Sequence, residues 1–148
     1  MIKITVPGQP IAQQRPRFSK ANFKVFDPNR EDKAEIREKI RSKAPKKPFE
    51  GGVYLTLNFY TQRPLQHFIG KKRENKLRPG VPRWKVSRPD IDNLVKFIMD
   101  ILDEFILDDS QICKLITTKK YSVNPKTVIE IGELENDTKI KTKATKIL

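Results

Sequence analysis

The chain has 148 residues and carries 31 lysines and arginines against 18 aspartates and glutamates, a formal net charge of +13. One cysteine and one histidine exclude internal disulfides and a Cys/His zinc cluster, and they disfavour a Ser-His-Asp or Cys-His nucleophile. The length fits a single domain over residues 1–148, and the charge favours a polyanionic partner, nucleic acid before an anionic membrane.

Apolar stretches in the sequence are short. No N-terminal segment resembles a signal peptide, and no segment approaches the length that spans a bilayer. We therefore expect a cytoplasmic protein that has no membrane partner.

The N-terminal residues predict a strand followed by a hairpin. Alternation over residues 2–6 indicates a strand that ends at Pro7-Gly8. Two prolines then rule out a helix, and residues 17–18 are expected to pair with residues 23–26 as a short hairpin.

A first helix is predicted after this hairpin. Asp27 is expected to cap it, with Pro28 at the first helical position, and the helix should run to about Lys43. Its apolar stripe is thin, which favours a helix on the surface with a solvated, charged face.

The middle of the chain predicts one strand and one long loop. Apolar residues alternate along residues 53–61, which predicts a strand. One face of this strand should carry Val53, Leu55, Leu57 and Phe59. Residues 62–89 are basic and rich in proline, which indicates an irregular loop. Trp84, within this loop, is interpreted as a packing anchor.

The C-terminal third predicts a second helix and two further strands. Residues 91–105 have a wide apolar face at helical spacing, and residues 112–121 and 126–134 read as strands. Residues 136–148 form a basic tail that is either flexible or an added edge strand. The fold class is therefore α+β, with a small mixed or antiparallel sheet packed against two main helices.

An unusual concentration of acids lies in this region. On the second helix, Asp92 and Lys96 share one exposed face. Asp90 cannot join that face from inside the helix, so it must lie outside the helix start, after Pro89. Asp109 could return to the pair along an extended path, or a second subunit could supply it.

Carboxylates in this pattern are hard oxygen ligands suited to Mg²⁺ or Mn²⁺, and a nearby lysine can neutralise charge on a phosphate. The ordinary structural alternative is that Asp90 caps the helix, Asp92 pairs with Lys96, and Asp108-Asp109 forms a turn. The residues alone favour metal-dependent phosphodiester chemistry only slightly over this alternative.

A longer motif resembles a known family. The chain reads Arg88-Pro89-Asp90-Ile91-Asp92-Asn93-Leu94-Val95-Lys96, then Asp100-Ile101-Leu102, then Leu107-Asp108-Asp109-Ser110-Gln111-Ile112. This pattern resembles the RusA family of Holliday junction resolvases, and Pro7-Gly8-Gln9-Pro10 resembles its phage, prophage and Gram-positive branch. The resemblance implies a RusA-like fold and an endonuclease in the cytoplasm of a bacterial host cell.

The resemblance also assigns roles to residues. It implies that Asp90, Asp92 and Asp109 bind Mg²⁺, with Mn²⁺ able to substitute, and that Lys96 is essential for cleavage. It further implies a homodimer with two active sites that acts on branched DNA, including the four-way junction. The basic residues expected to contact DNA are Arg15, Arg17, Lys71, Lys72, Arg73, Lys85, Arg88, Lys119 and Lys120.

Three functions are therefore compared. The leading hypothesis is an Mg²⁺-dependent endonuclease that resolves four-way junctions, and other branched DNA, by paired phosphodiester hydrolysis. The alternative is a non-catalytic, basic nucleic-acid-binding protein, for which charge alone would suffice. A different metal-dependent phosphoryl transferase lacks support, because the chain has no glycine-rich phosphate loop.

Overall fold

The computed structural model describes residues 1–135, and a four-stranded mixed sheet is its centre. Strands β1 (Ile2–Pro7) and β4 (Val53–Gln62) each pair antiparallel with β6 (Lys126–Glu133). Strand β5 (Ile112–Ser122) pairs parallel with β4, so the strand order is β1-β6-β4-β5. The α+β class and the mixed sheet predicted from the sequence are confirmed.

Helix α2 (Ile91–Met99) lies in the connection between β4 and β5. Because these two strands are parallel, the connection must carry the chain back along the sheet before β5 begins. The start of α2 therefore lies near the end of β5, and the end of α2 lies near the start of β5. This arrangement determines which acidic residues of the motif lie close to one another.

The core confirms the predicted alternation in β4. Val53, Leu55, Leu57 and Phe59 are essentially inaccessible to solvent. They form one cluster with apolar residues of both helices and of β6, which include Ile36, Ile40, Leu94, Phe97, Ile98, Ile129 and Ile131. Each large side chain buried in this way contributes about 1.5–3 kcal/mol, so the core holds both helices against one face of the sheet.

Helix α1 (Arg30–Ile40) begins later than the sequence suggested. Asn29 occupies the N-cap position, and Asp27 instead accepts a hydrogen bond from the Asn29 backbone N–H at 2.9 Å. The charged residues of α1 are mostly solvated, as predicted, with one exception. Lys33 is only 6% exposed, because it reaches between two carboxylates at the junction with α2.

Helix α2 ends at Met99, six residues before the predicted end. The following turns keep Ile101, Leu102 and Phe105 buried, so the apolar periodicity continues beyond the helix itself. The guanidinium of Arg37 donates to the Asp100 carbonyl at 2.8 Å. This bond satisfies a carbonyl at the helix end and allows the chain to turn away.

Residues 62–89 are irregular apart from two short 3-10 turns, Leu65–His67 and Ile69–Lys71. The hairpin predicted before α1 is confirmed as β2 (Arg17–Ser19) and β3 (Lys24–Phe26). Trp84 is 52% exposed, so its interpretation as a packing anchor was wrong.

Between residues 1 and 135, no helix combines the length and apolar character needed to cross a bilayer. The tail predicted for residues 136–148 lies outside the described residues.

Candidate active site

Asp90 stands immediately before α2, as its position after Pro89 predicted. Its backbone is extended, at φ −70° and ψ 143°, and its carbonyl accepts from the Leu94 N–H at 3.3 Å. Its side chain forms no capping hydrogen bond with the helix. Asp90 therefore occupies the N-cap position that the structural alternative gave it, but its carboxylate is not used in capping the helix.

Asp92 and Lys96 lie one turn apart on the exposed side of α2. Helix α1 has an i,i+4 ion pair between Glu35 and Lys39 at 3.3 Å, but within residues 1–135 Asp92 and Lys96 form no such pair. The salt-bridge alternative for these two residues was therefore wrong. Two carboxylates and one ammonium group are left available to a ligand.

These residues line one cleft together with the segment that follows β1. Its lining includes Gln13, Gln14, Arg15, Pro16, Asp27, Lys33, Asp90, Asp92, Asn93, Lys96 and Asp100. A second, more open groove on the other side of Asp90 and Asp92 is lined by Trp84, Lys85, Ile91, Thr117, Thr118 and Lys119. The acid pair thus separates two concave surfaces.

Other carboxylates in the cleft are already neutralised. The Lys33 ammonium lies 2.5 Å from Asp27 Oδ2 and 2.9 Å from Asp100 Oδ2. The hydrogen bond from Lys33 is the largest cause that lowers the pKa of Asp27 to about 2. Asp100 therefore has a structural partner, whereas Asp90 and Asp92 have no ion pair among residues 1–135.

Hydrogen bonds to backbone carbonyls hold the start of α2 in place. The Lys119 ammonium donates to the carbonyl oxygens of Ser87 and Pro89, each at 2.7 Å. On the other side, the Gln13 N–H donates to the Asn93 carbonyl at 2.9 Å. Since these bonds flank the acid pair, they orient it relative to the sheet.

Asp109 does not join the pair within the chain. It begins the short 3-10 turn Asp109–Gln111 ahead of β5, and it lines a different pocket with Met99, Asp100, Asp103 and Asp108. The pKa of Asp109 is raised, first by burial and then by the charges of Asp100 and Asp108. Within residues 1–135, no three His, Cys, Asp or Glu side chains are grouped so that they could hold a metal ion.

Asp108 fits the structural alternative, in which Asp108-Asp109 forms a turn. Its Oδ2 accepts from the Ser110 N–H at 2.9 Å, and the Gln111 side chain accepts from the Asp108 N–H at 2.9 Å. These reciprocal bonds are a capping box, so Asp108 is a structural residue of the turn. Asp109 has no such role in the part of the chain that is described.

The candidate DNA contacts are dispersed. Arg15 lines the cleft, and the Lys120 ammonium lies 5.2 Å from the centre of the Trp84 ring. Lys85 lies beside Tyr121, with its ammonium 5.1 Å from that ring. Lys119 donates to backbone carbonyls at the start of α2, as described above. The other five candidates are exposed on strand β2 and on the 62–89 loop, namely Arg17, Lys71, Lys72, Arg73 and Arg88.

Sequence reasoning missed the polar residues that surround the acid pair. Lys33, Gln13 and Asn29 all contact Asp27: its Oδ2 binds the Lys33 ammonium, and its Oδ1 accepts from Gln13 Nε2 at 3.0 Å and from the Asn29 N–H at 2.9 Å. Asn29, an ordinary N-cap residue type, was the only one of the three that local signals could have identified.

Comparison with known proteins agrees with the motif. The family described as Endodeoxyribonuclease RusA matches residues 7–132. The protein YqaN of Bacillus subtilis (strain 168) is 35% identical over 138 residues, which cover 90% of this chain and 96% of YqaN. The "Crossover junction endodeoxyribonuclease rusA" of Lactococcus phage r1t is 29% identical over 129 residues, covering 84% of this chain and 91% of the phage protein. As the acid–lysine motif predicted, the chain belongs to the RusA family of endodeoxyribonucleases.

Proposed function

We propose that this endonuclease cuts four-way DNA junctions, and other branched DNA, in a reaction that requires Mg²⁺. The observation that carries the proposal is the pair Asp90 and Asp92, whose carboxylates have no protein partner among the described residues. The junction as substrate is supported by the printed name of the phage relative. The place of action is the cytoplasm of a bacterial host cell.

The two free carboxylates fit a divalent metal ion. They lie two residues apart at the start of a rigid helix, one just outside it and one in its first turn. Carboxylate oxygens are the ligands that Mg²⁺ and Mn²⁺ prefer. A metal ion held there would polarise a phosphodiester and supply a nucleophilic water. In this proposal Asp109 is the third acidic ligand, supplied by a second subunit of the homodimer, because within one chain it lies at the other end of α2 from Asp90 and Asp92.

The protein's own residues then hold the phosphate. Lys96 is one helical turn from Asp92 and has no ion pair within residues 1–135, so its ammonium is available to the charge that develops on the scissile phosphate. Arg15 lines the same cleft and is placed to hold a neighbouring phosphate. Asn93 and Gln13 keep the helix start and the cleft wall together.

The wider basic surface would bind the arms of the junction. The net charge of +13 favours a polyanion, and most basic residues of the 62–89 loop are exposed. A homodimer suits this substrate, since two cuts related by symmetry require two active sites related by a two-fold axis.

The decisive variant is Asp92→Asn, which keeps the shape of the side chain but removes its charge. We expect cleavage of an immobile four-way junction in Mg²⁺ to fall by more than about 100-fold, with junction binding retained. The matched control is Glu104→Gln, which removes an acid that pairs with Arg41 at 3.1 Å outside the cleft. Normal cleavage by Asp92→Asn would refute the metal site.

The substrate itself is tested by mapping nicks on all four strands of the junction, with and without Mg²⁺. Paired nicks at symmetry-related positions are the expected result. Tight binding that never produces nicks in Mg²⁺ or Mn²⁺ would instead indicate the non-catalytic nucleic-acid-binding protein.

A further inference from the structure

Trp84 is the single tryptophan of the chain, and it lies in the 62–89 loop with its ring open to solvent. The residue is 52% exposed. Tryptophan is highly buried on average, because its large apolar ring contributes most when it is removed from water. An exposed tryptophan beside a proposed nuclease site is therefore a candidate for contact with the substrate.

The backbone around Trp84 is held against the end of β5. The Lys85 N–H donates to the Lys119 carbonyl at 3.4 Å, and the Tyr121 N–H donates to the Arg83 carbonyl at 2.9 Å. Trp84 stands between these two hydrogen bonds, so its position is set by the sheet. A ring that is positioned before the ligand arrives loses little conformational freedom on binding.

Lys119 connects the segment around Trp84 to the acid pair. Its carbonyl holds that segment, and its ammonium donates to the carbonyl oxygens of Ser87 and Pro89, each at 2.7 Å. Pro89 immediately precedes Asp90. One residue of the sheet therefore fixes the ring and the acid pair relative to each other.

Trp84 and the acid pair line the same open groove. Its volume of about 690 Å³ lies in the range of sites that hold a small organic molecule. The six residues from Trp84 to Asp90 span at most about 20 Å, and successive nucleotides of one strand are about 3.4 Å apart. A base on Trp84 would therefore lie within about six nucleotides of a phosphate held at the acid pair.

Two cations lie beside the Trp84 ring. The Arg83 guanidinium carbon is 5.4 Å from the ring centre, and the Lys120 ammonium is 5.2 Å from it. A base that stacks on an aromatic ring brings its phosphates to either side, where cations can neutralise them. Exposed aromatic rings among basic side chains are typical of proteins that bind unpaired bases.

A stacking ring would distinguish branched from linear DNA. In a continuous duplex both faces of each base are covered by neighbouring bases, and only the base edges are accessible in the grooves. At a branch point the base stack is interrupted, so base faces become accessible. Because every base has a π face, recognition of this kind does not depend on sequence.

We propose that the Trp84 ring stacks on a nucleobase at the branch point of the DNA and thereby favours branched over linear substrates. Trp84 acts in substrate selection, and the chemistry stays with the acid pair and Lys96. The branched substrate is taken from the proposed function, whereas the stacking contact can be measured in the absence of cleavage.

Fluorescence tests the contact directly, since Trp84 is the single tryptophan. In EDTA, which prevents metal-dependent cutting, a saturating immobile four-way junction should quench the emission and protect it from acrylamide. The comparison is a saturating pair of linear duplexes built from the same arms, with the same number of blunt ends, which should leave the emission nearly unchanged. Equal quenching by both substrates, or none by the junction, would overturn the proposal.

Binding isotherms in EDTA test the selectivity. Trp84→Ala should lower affinity for the junction by about 10-fold and leave affinity for the linear duplex unchanged. Trp84→Phe keeps a ring and should retain most of the preference. The control is Val86→Ala, which shortens a 96% exposed side chain in the same loop and should change neither affinity. An equal loss for junction and duplex in Trp84→Ala would contradict the role of the ring.

The proposed nuclease function can fail separately. A wild-type protein whose emission is quenched by the junction alone, but which never cuts it in Mg²⁺ or Mn²⁺, would refute the nuclease function and leave the stacking contact standing. Conversely, normal junction cutting by a protein whose emission does not respond to the junction would overturn the stacking contact alone. Resistance of the free protein to acrylamide would also overturn it, because another surface would then cover the ring.

Discussion

At the scale of single residues, the ion triad of Asp27, Lys33 and Asp100 is the main electrostatic feature that the sequence did not reveal. Lys33 is nearly inaccessible, yet it contacts two carboxylates from different parts of the chain. The charged groups therefore connect the start of α1 to the end of α2, and they do so beside the active site. Their effect on stability can be separated from catalysis through its dependence on pH.

We expect Asp27→Asn to reduce the dependence of the free energy of unfolding on pH in the acidic range. The pKa of Asp27 is lowered from 3.8 to about 2, so the folded state binds this proton less readily than the unfolded chain does. Its stabilising contribution is therefore complete above pH 3.8 and is lost as the pH falls towards 2. Urea unfolding from pH 2 to 6 should show this loss in the native protein and a smaller slope in the variant.

At neutral pH the same variant should lower the free energy of unfolding by about 1 kcal/mol, since Lys33 keeps its bond to Asp100. The control is Asp103→Asn, because Asp103 pairs with Arg37 at an exposed site and should change stability by less than about 0.5 kcal/mol. An unchanged acid slope for Asp27→Asn would contradict the role of the triad.

At the scale of elements, the end of β5 positions the start of α2. Lys119 donates to the Ser87 and Pro89 carbonyls, whereas the ammonium of the adjacent Lys120 lies over the Trp84 ring. We expect Lys119→Gln to lower the cleavage rate by on the order of 10- to 100-fold, because a small displacement of the acid pair misaligns the reacting groups. Junction affinity should change little.

The neighbouring substitution Lys120→Gln provides the comparison. It removes a positive charge from the same strand without touching the carbonyls that hold α2, so it should weaken junction binding and spare the rate of bound enzyme. Single-turnover rates at saturating enzyme, measured beside binding isotherms, separate the two effects. Equal loss of rate in both variants would mean that Lys119 does not act through the helix start.

Much of the fold followed from local sequence patterns, and the exceptions have a common cause. The alternation in β4 predicted its buried face correctly, and the position of Asp90 outside α2 followed from Pro89. The early end of α2 was not predicted, and the Asp100 carbonyl at that end accepts from Arg37 of another helix, a contact that the apolar spacing does not reveal. Contacts between residues distant in sequence leave no periodic signal.

The same distinction applies to the candidate site. Asp90, Asp92 and Lys96 were predicted together because one helix start presents all three. The location of Asp109 follows from the parallel pairing of β4 with β5, because β5 then begins near the end of α2 that lies away from Asp90 and Asp92. Sequence spacing permitted a return of Asp109 within the chain, and only the sheet topology excludes it.

At the scale of the whole molecule, the charge of +13 includes cations that line the proposed site and cations that lie far from it. Arg15 lines the cleft that contains Asp90 and Asp92, whereas Lys3 lies on β1, at the opposite edge of the sheet, 3.8 Å from Glu130. If DNA binds through the cleft, only cations near it should displace counterions from the phosphates. Total charge alone would predict equal effects for both residues.

We therefore expect Arg15→Gln, but not Lys3→Gln, to change the salt dependence of junction binding. Each lost phosphate contact should reduce the slope of log affinity against log salt concentration by about 0.9. Affinities measured between 50 and about 200 mM salt resolve a change of that size. Equal slopes for the two variants would mean that DNA binding follows net charge rather than the cleft, and the phosphate role of Arg15 would then be wrong.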